Sequence, residues 1–269
     1  MRTHLAPSQR TRGIVKQCPA LVFLIELNVD SINTATTMNC RIRTFVRVAT
    51  FIVAVLSVLP AGITADQPEP IRIVAIGDSL IAGYGLKPEQ GFTSKLQKIL
   101  NERGCSVRII NSGISGDTTN GGLARIDWVL SDQYSGVILF LGYNDAFRAV
   151  PVESVRHNLT EIVKNIQSKN LPILFFGAKA PRNLGADYYE KFDSIYPELA
   201  AEYGLLFYPF FLDGVATNPL LNQKDGIHPN EAGVDLIVDR ILPYAGKLIG
   251  QIDSSQSGDE VRHYSNCSL

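Results

Sequence analysis

The stretch Val74-Ala-Ile-Gly-Asp-Ser-Leu-Ile-Ala-Gly-Tyr-Gly85 sets the fold of this chain. Two β-branched positions, Val74 and Ile76, close an apolar run that begins at Ile71, and Gly77, Asp78 and Ser79 follow at once. This is the pattern of a strand that ends in an abrupt turn, with glycine where the chain must bend. Ser79 then heads the following segment, where the first N–H groups of a helix have no internal partner and can face an anion. From these residues two readings of Ser79 stand side by side: a nucleophile, or, with Asp78, a simple helix cap.

Further short runs follow the first: Val107 to Asn111, Val137 to Leu141, Ile173 to Phe176 and Leu205 to Tyr208. Most are apolar without alternation, as strands buried on both faces of a parallel sheet are. Between them, apolar residues recur at helical spacing over Phe92 to Glu102 and Val155 to Ile166. Tyr188 to Tyr203 and Glu231 to Leu242 read the same way, and Leu123 to Leu130 is a shorter helix. Strands alternating with helices predict right-handed crossovers and a three-layer α/β/α sandwich around a five-stranded parallel sheet. In such a sheet ligands bind beyond the carboxyl ends of the strands. The segments that follow the strands are the unusual ones: Gly77-Asp78-Ser79, Ser112 to Asp117, Gly142 to Asp145, Lys179 to Gly185, and later Asp225-Gly-Ile-His228.

Composition bounds the alternatives. The chain has 269 residues, 45% hydrophobic and 19% charged, enough for one domain with a full core. Residues 1–65 carry seven Lys/Arg against Glu26 and Asp30, which leaves 18 basic and 24 acidic residues beyond them. A body with that acidic excess has no nucleic-acid footprint. Arg41, Arg43 and Arg47 precede the apolar run Val48 to Leu59, which is followed by small residues up to Ala65. The run is too short to span a membrane and has the layout of a secretory signal over residues 38–65, cut near Ala65. A periplasmic or secreted protein is expected, with residues 1–37 a dispensable or mis-assigned extension, one folded domain over 66–250 and a polar, loose tail over 251–269. Of the four cysteines, Cys105 and Cys267 lie beyond the cut, as a pair or as two separate thiols.

Few residues can carry chemistry. His157 and His263 read as surface residues, whereas His228 stands three residues after Asp225 and just before Pro229. That spacing within a turn lets a carboxylate hold Nδ1–H and leaves Nε2 free towards a serine; a capping histidine with an acidic neighbour is the plainer alternative. Gly116 lets a backbone N–H approach a substrate closely, and Asn144 can aim an amide donor at a developing oxyanion without adding negative charge. Asp117 and Asp145 lack the regular spacing of an oxygen-ligand metal site, and no cysteine pair has zinc spacing, so neither a metal nor another cofactor is expected. Gly83-Tyr84-Gly85 lacks the rest of a dinucleotide fingerprint.

With those residues in place, the chain resembles the GDSL or SGNH hydrolases over nearly all of residues 71–245, on "GDSL" at Gly77–Leu80, "ISGDTT" around Gly116, "GYND" at Gly142–Asp145 and "DGIHPN" at Asp225–Asn230. It is most similar to the bacterial group of thioesterase I, lysophospholipase L1 and arylesterase. The resemblance implies a flavodoxin-like sandwich and a serine esterase acting on carboxylic esters and thioesters. It implies Ser79 as nucleophile, His228 as base and acid, Asp225 as its partner, and an oxyanion hole from Ser79, Gly116 and Asn144. Asp78, Tyr143 and the loop residues Ala180, Pro181, Asn183 and Leu184 are expected at the substrate. Tyr143 stands where members of that group often carry glycine, which is expected to narrow the cleft. The expected partners are a small-molecule or lipid ester and transient contact with lipid, with no nucleic acid and no protein partner. A carbohydrate or other small-ester deacetylase, and a noncatalytic exported binding protein, are the rival readings.

Overall fold

The apolar runs become strands because helices cover both of their faces. The computed structural model describes residues 69–256 and Cys267; the expected leader and the extension before it lie outside the described residues. β1 (Ile71–Gly77), β2 (Val107–Gly113), β3 (Gly136–Phe140), β4 (Ile173–Phe176) and β5 (Leu206–Tyr208) pair in parallel in the order β2-β1-β3-β4-β5. β3 and β4 are buried along their whole length, while β2, at an edge, buries Val107 and Ile109 and exposes Arg108. That edge is closed by side chains: Asn101 Oδ1 accepts the Val107 N–H at 2.9 Å and Gln97 Oε1 the Ile109 N–H at 2.7 Å. An edge strand with occupied donors offers less for another chain to pair with.

The helices are α1 (Ser79–Ala82), α2 (Phe92–Glu102), α3 (Thr119–Val129), α4 (Tyr143–Phe147), α5 (Val152–Gln167), α6 (Ala186–Tyr203) and α7 (Glu231–Gln256). α2 packs with α7, and α3 with α5 and α5 with α6, so two helical layers enclose the sheet. The expected α/β/α sandwich with its five-stranded parallel sheet is the fold observed, and its strand order is the flavodoxin-like one.

Register does the positioning. Gly77 of β1 pairs with Gly113 of β2 and with Phe140 of β3, so three strands end level. The strand order reverses beside β1, whose following helices lead outward to β2 while β3 lies on its other side. That crevice is where ligands collect in open α/β sheets.

The structure departs from the sequence reading at the C-terminus. The last helix was expected over Glu231 to Leu242 and a loose tail from 251, but α7 runs on through Pro243 to Gln256. Ala245, Leu248, Ile249 and Ile252 are buried and extend the series begun by Val234, Ile237, Val238 and Ile241. A face that keeps burying apolar residues offsets the one N–H that proline removes. Cys105, just before β2, is bonded to Cys267, which settles the open question of those two thiols in favour of a pair.

The bond spans 162 residues, and closing so long a loop restricts the unfolded chain strongly. Cys267→Ser is expected to lower the unfolding free energy by about 2–5 kcal/mol. Urea unfolding checks this, and reduction of the wild-type protein should reproduce the loss.

Candidate active site

Ser79 owes its place to Gly77. A Cβ at Gly77 would lie 2.2 Å from Ile81 Cγ1 and 2.8 Å from the Phe140 carbonyl oxygen, so only glycine lets α1 fold back so closely. Asp78 caps α1 by accepting the Leu80 N–H at 3.0 Å. Ser79 is the first residue of α1, and its carbonyl accepts the N–H groups of Gly83 and Tyr84 at 3.0 Å each. The cap is thus Asp78, and Ser79 stands one residue inside the helix that it closes.

His228 arrives from 149 residues further on, and its Nε2 lies 2.9 Å from Ser79 Oγ. Its Nδ1 lies 2.6 Å from Asp225 Oδ2, while Asp225 Oδ1 accepts the N–H groups of Ile227 and His228 at 2.9 and 3.0 Å. Gly226, at φ +69°, makes the turn that lets one carboxylate meet all three donors. Burial works against the Asp225 carboxylate, but the two N–H groups and the imidazole outweigh it and hold its pKa down to about 2. Asn230 then caps α7 by accepting the Gly233 N–H at 3.0 Å.

The loops after β2 and β3 are joined to each other. Asn144 Nδ2 donates to the Asp117 carbonyl at 2.9 Å, and Arg148 donates to the Gly116 carbonyl at 3.1 Å. Gly116 holds φ +83°, a conformation that a side chain would strain. Asp117 pairs with Arg125 at 2.9 Å, and the same guanidinium reaches Ser112 Oγ at 3.0 Å and the Gly77 carbonyl at 3.2 Å. Asp145 accepts the Thr119 hydroxyl at 2.7 Å and the Thr119 N–H at 2.9 Å. Both aspartates are therefore engaged in tying loops together.

A cavity of about 100 Å³ opens beside Ser79 and is lined by Asp78, Ser79, Leu80, Tyr143, Asn144, Phe147, Leu212, Ile227 and His228. Gly116 does not line it. Neither do Ala180, Pro181, Asn183 and Leu184, which were expected at the substrate. Asp193 of α6 accounts for this: it accepts the Ala180 N–H at 2.8 Å and the Arg182 guanidinium at 2.7 Å, and Ala180 is buried in the core. Leu212 and Ile227 are lining residues that sequence reasoning missed, because a single apolar residue in a loop carries no periodic signal. Phe92 and Phe211 pack edge-to-face at 5.2 Å within the core and border a smaller gap behind Ser79.

Asp78 is fully buried, and its Oδ2 has no hydrogen-bond partner among the described residues. Burial pushes its pKa up to about 7, with Asp117 and Asp145 adding to the rise against the lowering bond from Leu80. Burial likewise raises the Tyr143 hydroxyl above its usual value, with the Asp78 charge adding to it.

A serine at a strand exit, bonded to an imidazole that is bonded to a carboxylate, is the arrangement of serine hydrolases. Comparison with known proteins agrees. The GDSL-like Lipase/Acylhydrolase family model matches residues 75–236, and the chain belongs to that family. It is 34% identical over 185 residues to "Esterase TesA" of Pseudomonas aeruginosa, covering 68% of this chain and 92% of that one. It is 36% identical over 159 residues to "Arylesterase" of Vibrio mimicus, covering 59% and 80%. The crystal structure of AlinE4, an SGNH-hydrolase family esterase, superposes with a TM-score of 0.58 at 43% identity, covering 67% of this chain and 97% of that one.

The raised Asp78 pKa has a consequence for stability. Between the ordinary carboxylate pKa and about 7, the folded protein keeps a proton that the unfolded chain releases, so this group's contribution falls as pH rises through that window. Asp78→Asn retains an acceptor for Leu80 and removes the titration. Its unfolding free energy should fall less than that of wild type between about pH 5 and about pH 8, as urea titrations at both pH values would measure.

Proposed function

We propose that Ser79, His228 and Asp225 act together as the catalytic residues of a serine esterase that hydrolyses carboxylic esters of small and acyl-chain acids through a covalent acyl-enzyme. The observation that carries this reading is the continuous line Ser79 Oγ, His228 and Asp225, with contacts of 2.9 and 2.6 Å. In it, His228 Nε2 takes the Ser79 proton as Oγ attacks the ester carbonyl. Asp225 stays ionised, orients Nδ1–H and stabilises the imidazolium. The oxyanion is met by the Ser79 N–H, the Gly116 N–H and the Asn144 amide, and the imidazolium returns its proton to the leaving alcohol. Water, deprotonated by the same histidine, then attacks the acyl carbonyl and frees the acid. Ser79 is the first residue of its helix, where a backbone N–H has no partner within the helix, which supports its place among these donors.

The substrate class follows from the cavity. Leu80, Phe147, Leu212 and Ile227 supply an apolar wall, suited to an acyl chain rather than a sugar. Phe147 and Ile227 are also exposed at its mouth, which supports transient contact with lipid during uptake of a lysophospholipid-like ester. Export fits the arginine-flanked apolar run before Ala65 and the Cys105–Cys267 bond, since disulfides persist in oxidising compartments. Esters are the more natural substrates there than acyl-coenzyme thioesters, which belong to the cytosol.

Ser79→Ala is expected to fold as wild type by circular dichroism and to lose both turnover of nitrophenyl acyl esters and labelling by a fluorophosphonate. Asn144→Ala should lower kcat by about 10²–10³. Lengthening the acyl group from acetyl should raise kcat/KM by up to about fourfold per methylene until the cavity is filled. A profile that peaks at acetyl would point to a deacetylase instead.

A further inference from the structure

Beyond the line of Ser79, His228 and Asp225, the side chain that joins the serine loop to the histidine loop is Gln223. Its backbone N–H donates to the His228 carbonyl at 2.7 Å. Its side-chain amide donates to the Tyr84 carbonyl at 2.8 Å and to the Pro229 carbonyl at 3.0 Å. One of these carbonyls belongs to the loop that leaves α1, the other to the residue after His228. Tyr84 is itself tied back to Ser79, whose carbonyl accepts its N–H at 3.0 Å. These bonds close a ring: Ser79 to Tyr84, Tyr84 to Gln223, Gln223 to His228, and His228 Nε2 to Ser79 Oγ at 2.9 Å. The bond that would react is one link, and the others hold its ends. Gly85 makes room for the amide, because a Cβ there would lie 2.1 Å from Gln223 Oε1.

Tyr84 contributes a second contact. Its ring centroid lies 4.6 Å from that of His228 at an interplanar angle of 40°. An aromatic face at that distance attracts the ring once it is protonated. The other titratable groups around the imidazole are Asp225 on its own loop, Asp78 and Tyr143 across the cavity, and Glu231 at the head of α7. Glu231 is engaged by Gln90 at 2.7 Å and Lys95 at 3.5 Å. Exposed Lys224 sits beside Asp225. Replacing Tyr84 removes none of these groups.

We propose that Gln223 and Tyr84 are positioning residues for His228: Gln223 sets the distance between the serine loop and the histidine loop, and the Tyr84 ring stabilises the protonated imidazole. The proposal deepens the esterase reading and rests on it for the meaning of His228, but it can be measured separately. Tyr84→Leu keeps the backbone carbonyl that Gln223 uses and removes the ring, whereas Tyr84→Phe keeps the ring. In an NMR titration of the His228 ring, which reads only folded molecules, Tyr84→Leu should lower the imidazole pKa by about half a pH unit and Tyr84→Phe should leave it in place. The acid limb of kcat/KM for a nitrophenyl ester should move with it. Gln223→Met and Gln223→Glu, which both lose the two donors, should each lower kcat by about tenfold to a hundredfold with KM within about twofold of wild type. An unmoved imidazole pKa in Tyr84→Leu, or Gln223 variants with unchanged kcat or a loss confined to KM, overturns the proposal. A wild-type protein that fluorophosphonate fails to label at Ser79 overturns the esterase reading instead, and the NMR titration still decides the contact with Tyr84.

Discussion

The parallel register that sets Gly77 level with Gly113 and Phe140 is the constraint on which the site depends. Because three adjacent strands end together, the segments that follow them emerge side by side and can be bonded to one another over short distances. Gly77 and Gly113 are glycines for a related reason: α1 lies so close over them that a Cβ at Gly113 would come within 2.4 Å of the Ala82 nitrogen. A larger residue at either point would lift α1, and Ser79 with it, away from the loops it must meet. The functional geometry is thus a property of backbone packing first and of side-chain chemistry second.

Four carboxylates crowd this end of the sheet, and their surroundings give each a different charge state or duty. Asp225 is held ionised by donors on its own turn, as a partner for an imidazolium requires. Asp117 is paired with Arg125, and Asp145 is bonded twice by Thr119. Asp78, next to the proposed nucleophile, is buried with a single bond from Leu80 and is pushed towards its neutral form. An ionised carboxylate there would oppose the negative charge that develops on a substrate oxygen, so burial at this position favours the chemistry while making the cap less favourable at high pH.

Much of this was legible from the residues alone. The unbroken apolar runs marked β1, β3 and β4 because strands covered on both faces have no polar side to show. The helical repeat marked α2 to its observed ends, Phe92–Glu102. α4 escaped notice, being five residues long, too short for any period to develop. α7 was cut short because Pro243 is a strong local breaker, and only the continued burial down to Ile252 outweighs it. The placement of the loop from Lys179 to Gly185 was not legible for a different reason: the Ala180 N–H is held by Asp193, thirteen residues away on another element, and no local pattern announces such a bond.

What the sequence by itself determined was the class of fold and the identity of the residues able to do chemistry, because strand burial, turn glycines and the Asp225–His228 spacing are all local consequences of residue type. Tertiary structure alone decided how those residues meet. The contact between Ser79 and His228 crosses 149 residues, the amide of Gln223 reaches a carbonyl 139 residues away, and the cavity wall is drawn from four separate segments of the chain. Such distances follow from register and packing summed over the whole domain, and they leave no trace in any one stretch of chain.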